Sequence, residues 1–133
     1  MVREPPESPS RGRILVADDE PHIRRILSTL LQTSGFVVDE APNGGVALER
    51  VAGDTPYDFI LLDIMMPVAT GLEVLASIRS TEHRRGVPVI ILTAKGQDAD
   101  RHAAFDLGAD DFITKPFSPK KLLARIEQIL GMD

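Results

Sequence analysis

The stretch from Val87 to Leu92 constrains the fold more than any other. It is apolar nearly throughout, with no polar alternation. A strand with one wet face alternates, whereas one covered on both faces by helices does not, so this run predicts the central strand of a parallel sheet. Other short β-rich runs recur at intervals that leave room for one helix each. Ile14 to Ala17, Phe36 to Val38, Phe59 to Leu62 and Asp111 to Thr114 complete a set of five. Five strand–helix units in series predict an α/β fold: a five-stranded parallel sheet with helices on both faces, because right-handed crossovers place them there.

The helices announce themselves by spacing. Ile23, Ile26, Leu27, Leu30 and Leu31 form an i, i+3, i+4, i+7, i+8 stripe that Gly35 ends. Gly44 to Val51 predicts the second helix, and Leu72, Val74, Leu75 and Ile78 mark the third. A fourth helix is expected from about Gln97 to Leu107, closed by Gly108. The fifth opens with Ser118 as N-cap and Pro119 in its first turn. Its apolar stripe is Leu122, Leu123, Ile126, Ile129 and Leu130, and Gly131 closes it. Residues 1–12 carry three prolines and no periodicity, and are expected to be a flexible arm ahead of a domain spanning 13–131.

Composition excludes several functions. With no cysteine there is no disulfide and no thiolate-bound zinc, which fits a reducing cytoplasmic setting. Nothing approaches the ~18 consecutive apolar residues of a membrane span. A net charge of −5 argues against direct nucleic-acid binding, which needs a basic face.

In parallel α/β sheets, ligands bind outside the carboxyl ends of the strands. Asp18 and Asp19 follow the first strand, Asp63 the third, Thr93 the fourth and Lys115 the fifth. All four strand ends are neighbours if the order is 2-1-3-4-5, the flavodoxin-like arrangement. Three carboxylates together repel one another and would take up protons unless compensated. A hard divalent cation such as Mg²⁺ compensates them, and Lys115 supplies a further positive charge. Phosphoryl transfer asks for little more than in-line positioning and charge compensation. An aspartate can accept the group as an acyl phosphate. Asp63, between the acidic pair and Thr93–Lys115, is the best-placed acceptor. Taken alone, Asp18-Asp19 reads equally well as a helix cap. Asp110-Asp111 precedes its strand and reads as a solvated turn at the opposite edge.

The segments Leu15-Val16-Ala17-Asp18-Asp19-Glu20, Leu62-Asp63-Ile64-Met65-Met66-Pro67, Ile91-Leu92-Thr93-Ala94 and Thr114-Lys115-Pro116-Phe117 together resemble the signature segments of response-regulator receiver domains. The resemblance runs from about Arg13 to Leu130. It implies Mg²⁺, or Mn²⁺ in its place, held by Asp19, Asp63 and the Met65 carbonyl, with Asp18 acting through metal-bound water. It further implies that Lys115 and Thr93 bind phosphoryl oxygens, that Ala94 leaves room for the phosphodonor, and that Lys115–Pro116 is cis. Thr93 and Phe112 would form the switch, moving inward on phosphorylation and altering the surface of the fourth helix, fifth strand and fifth helix. That surface would meet a downstream effector or a second copy. The donor would be a sensor histidine kinase or a phosphotransfer protein. Such a domain is not a conventional enzyme, although it catalyses its own phosphorylation and dephosphorylation.

Three features depart from the usual pattern. Phe112 stands where tyrosine is common. Val68-Ala69-Thr70 replaces a Gly-x-Asp turn. Met65 and Lys95 occupy positions that tune acyl-phosphate lifetime, and apolar Met65 is expected to orient attacking water poorly and so to lengthen it. Two rivals are an aspartyl-phosphate hydrolase, against which the adjacent acid pair and separate acceptor strand count, and a degenerate receiver that serves only as an interaction module.

Overall fold

The computed structural model describes residues 10–94 and 98–132. Most of the expected arm, residues 1–9, lies outside them, as do Lys95 and the Gln97 start of the fourth helix. The elements run β1 (Arg13–Ala17), α1 (Pro21–Thr33), β2 (Val37–Ala41), α2 (Gly44–Ala52), β3 (Phe59–Asp63), α3 (Gly71–Ser80), β4 (Val89–Thr93), α4 (Asp98–Asp106), β5 (Asp111–Thr114) and α5 (Pro119–Leu130). The strands are all parallel, in the order β2-β1-β3-β4-β5. This is the flavodoxin-like sheet expected from the sequence.

Period-two alternation sorts the strand side chains onto two cores. Ile14, Val16, Phe59, Leu61, Ile90 and Leu92 pack against Leu27 and Leu31 of α1 and Leu122 and Ile126 of α5. Leu15, Ile60, Leu62, Val89 and Ile91 face the opposite way, toward Ala47 and Val51 of α2, Val74, Leu75 and Ile78 of α3, and Ala104 of α4. β3 and β4 are buried at every position, as an unalternating apolar run requires.

β2 runs further than its apolar residues suggested, because its polar members have partners. Asp39 accepts from Arg13 (3.0 Å) and from the Tyr57 hydroxyl (2.7 Å). Glu40 accepts from Arg24 (2.9 Å) and Ser28 (2.8 Å). A 3-10 turn, Glu82–Arg84, precedes β4 and was not foreseen. It inserts Arg84, 1% exposed, beneath the C-terminus of α2. There its guanidinium donates to the carbonyls of Arg50, Val51, Gly53 and Thr55 and lies 5.0 Å from the Tyr57 ring. One side chain thus supplies donors to carbonyls of the last turn of α2 and of the segment that leaves it.

Asp110 and Asp111 are not a free solvated turn. Asp110 accepts from the Val89 amide (2.8 Å), and Asp111 opens β5 and pairs with Arg125 of α5 (2.7 Å). Just ahead of β1, Arg11 is tied down on several sides. Its guanidinium donates to the Ser34 carbonyl (3.0 Å), pairs with Glu127 of α5 (3.0 Å) and lies 4.9 Å from the Phe36 ring.

Candidate functional site

Each site residue is delivered by a strand end. Asp18 follows β1, Asp63 and Thr93 are the last residues of β3 and β4, and Lys115 follows β5. Pairing fixes their height: Ala17 lies beside Leu62, Asp63 beside Leu92 and Thr93 beside Thr114. The four ends therefore open on one edge of the sheet.

Asp18, Asp63 and Thr93 are almost fully buried, at 0%, 3% and 1% exposure. Lys115 reaches back over them. Its ammonium donates to Asp18 Oδ2 (2.9 Å) and Glu20 Oε1 (2.8 Å) and stands 3.6 Å from Asp63 Oδ2. Its amide donates to the Thr93 carbonyl (2.7 Å), and the Lys115–Pro116 peptide is cis. Asp18 does not serve as the N-cap of α1. That position belongs to Glu20, which makes no side-chain cap, while Asp18 Oδ1 accepts from the Glu20 amide (2.9 Å) and the Asp18 carbonyl accepts from Arg24 (2.7 Å).

Three carboxylates, those of Asp18, Glu20 and Asp63, thus surround one ammonium, and Asp19 adjoins Asp63. Burial pushes the Asp63 carboxyl up to about 7, the Asp18 charge adds to the rise, Lys115 opposes it, and a hydrogen bond with Asp19 raises it further. For Lys115, burial alone would lower the pKa. Its hydrogen bonds to Glu20 and Asp18 and the charges of Asp18 and Asp63 outweigh this, so the ammonium is held above the ordinary lysine value. Oxygens of Asp18, Glu20 and Asp63 come within 4.8 Å of one another. An all-oxygen, strongly negative donor set of this kind suits a hard cation. Glu20 was not singled out from sequence. Its only signal was adjacency to the acidic pair, since the lysine that reveals it lies ninety-five positions away.

The loop after Asp63 is clasped by glycines. A side chain on Gly71 would come 2.3 Å from the Asp63 carbonyl, and one on Gly44, at the start of α2, 2.0 Å from the Ala69 carbonyl. The Gly44 amide donates to the Pro67 carbonyl (3.0 Å). Thr70 closes the loop with a capping box, accepting from the Glu73 amide while Glu73 accepts from its own. Where glycine is usual, Val68 adopts φ 77° and is 82% exposed. Met65, three positions earlier in the loop, is 67% exposed. Ala94 is exposed at the rim, and Phe112 lies inside, 4% exposed, with the Arg101 guanidinium 5.7 Å from its ring.

The family profile of the response regulator receiver domain matches residues 14–127. The chain is a response-regulator receiver domain. It is 44% identical over 118 residues to the transcriptional regulatory protein ResD of Bacillus subtilis, covering 89% of this chain and 48% of that protein. The receiver therefore spans about half the length of the curated relatives it matches. Among solved structures, a CheY-like receiver domain from Methanospirillum hungatei superposes with a TM-score of 0.84 at 28% identity, over 93% of this chain and 95% of that one. The receiver domain of a Pseudomonas aeruginosa sensor histidine kinase, solved with a magnesium ion coordinated in its active site cleft, gives 0.82 at 30% identity, over 90% and 98%.

Proposed function

We propose that this receiver accepts a phosphoryl group on Asp63 from a histidine kinase or phosphotransfer protein. The observation that carries the reading is a buried carboxylate at the centre of the sheet edge, flanked by further acids and by a lysine from another strand. An Asp63 oxygen forms the new bond to phosphorus as the donor's N–P bond breaks, and the released imidazole takes up a proton. Asp18, Asp19, Asp63 and the Met65 carbonyl would hold Mg²⁺, which when bound offsets negative charge on the transferring group. The Lys115 ammonium and the Thr93 hydroxyl are the chain's own donors to phosphoryl oxygens.

Thr93 and Phe112 form the switch, and the surface of α4, β5 and α5 carries the output to an effector or a second copy. Shifting a two-state equilibrium from 1:99 to 99:1 takes about 5.5 kcal/mol. New charge-assisted hydrogen bonds, at about 1.5–3 kcal/mol each, supply energy on that scale. The phosphoryl group leaves through the domain's own catalysed hydrolysis. Among the described residues no helix is long and apolar enough to cross a membrane, and a cytoplasmic setting fits the lack of cysteine. Intact mass after incubation with acetyl phosphate and Mg²⁺ tests the proposal. A single phosphoryl increment is expected on the wild type and none on Asp63→Asn; an increment on the variant sinks it.

A further inference from the structure

We propose that Glu20 is a positioning residue, whose carboxylate holds the Lys115 ammonium off Asp63 so that the acids beside it stay open to a divalent cation. This rests on the cation-dependent reading above and gives a role to Glu20, which belongs to the acidic cluster but not to the ligands named there.

An ammonium has three N–H donors. Two are committed here, to Asp18 Oδ2 at 2.9 Å and to Glu20 Oε1 at 2.8 Å. The remaining side faces Asp63 Oδ2 at 3.6 Å, beyond a good hydrogen bond. Opposite charges with so little solvent between them would close to contact unless another partner drew the lysine away. Glu20 is that partner, and it pulls from outside: its side chain is 55% exposed, against 5% for Asp63.

Both ends of the tether are anchored. The Glu20 amide donates to Asp18 Oδ1 (2.9 Å), its carbonyl accepts from the Arg24 amide (2.9 Å), and Arg24 also holds the Asp18 carbonyl (2.7 Å). The Lys115 backbone is bound to Thr93 (2.7 Å). Without that outward pull the ammonium keeps Asp18 and closes on Asp63. One unit of positive charge then sits against the carboxylate that a cation must share.

The test compares Glu20→Ala in the parent and in Lys115→Met. Amide NMR titrations with MgCl₂ measure affinity in about 1 M KCl, where screening falls to about 3 Å and an exposed carboxylate acts little through solvent. Metal-free crystal structures of the parent and of Glu20→Ala give the Lys115–Asp63 distance. Glu20→Ala is expected to weaken Mg²⁺ binding about two- to five-fold in the parent, the range of an exposed ion pair. In Lys115→Met it should change affinity less than about 1.5-fold, the mark of action through the lysine. In the crystal the Lys115–Asp63 separation should fall to about 2.8 Å. Equal weakening in both backgrounds would mean that Glu20 acts on the cation directly and overturns the proposal, as would an unchanged lysine position. Should the wild type bind no Mg²⁺ at all, the cation-dependent reading fails, while the crystal distance still decides the role of Glu20.

Discussion

Replacing Asp63 with asparagine should stabilise the metal-free domain, and by an amount that depends on pH. The carboxyl moves from its ordinary 3.8 to about 7 on folding, first through burial and then through the Asp18 charge. At about 1.4 kcal/mol for each tenfold, ionising it in the folded chain costs about 4 kcal/mol more than in the unfolded chain. The sign follows from proton binding. Between pH 3.8 and about 7 the native state holds a proton that the unfolded state has lost, so stability falls as pH rises through that window. The penalty is nearly absent at pH 4 and complete above pH 7. Asparagine keeps the shape and carries no charge, so Asp63→Asn should match the wild type near pH 4 and exceed it by about 2–4 kcal/mol at pH 8. Urea unfolding followed by circular dichroism in EDTA, at both pH values, measures the gap. Mg²⁺ should raise the wild type at pH 8 and move the variant less, since a ligand stabilises only the state it binds. A variant no more stable than wild type at pH 8, or a gap that ignores pH, refutes the reasoning.

Arg84→Met removes the donor to four carbonyls beneath α2 and should cost at least about 3 kcal/mol in thermal unfolding, with Asp63 phosphorylation retained in the folded fraction. Val68→Gly relieves a β-branched residue at φ 77° that buries almost nothing. It should gain about 0.5–1 kcal/mol, read as a higher urea midpoint. Gly44→Ala drives a methyl into the Ala69 carbonyl; a loss of about 1–3 kcal/mol is expected, together with weaker Mg²⁺ binding as the loop after Asp63 shifts. Met65→Asn supplies a polar group beside the acceptor and should shorten acyl-phosphate lifetime, followed by loss of the phosphoryl mass increment over time.

What could be read from the chain alone followed the strength of local signals. β5 and α5 were legible because Asp111 to Thr114 is bounded by turn residues and Ser118-Pro119 is a helix start, and Ser118 does accept from the Lys121 amide. β2 was cut short because Asp39 and Glu40 look like the end of a strand. Only the arrival of Arg13, Tyr57, Arg24 and Ser28 from three other segments makes them part of one. Arg84 could not be anticipated as buried, since its partners are main-chain carbonyls about thirty positions upstream that carry no sequence signature. The acid set and Lys115 were visible because topology alone brings strand ends together. Glu20 was not, because it is the exposed residue just ahead of α1, where a glutamate is unremarkable, and its role exists only in relation to Lys115.

The bonds that Arg11 makes to the α1–β2 turn and to Glu127 bring the segment ahead of β1 against α5. A displacement of α5 would therefore tug on the segment leading into β1. Dyes placed on that leading segment and at the end of α5 would report the movement as a change in energy transfer, without a label anywhere near the acceptor aspartate.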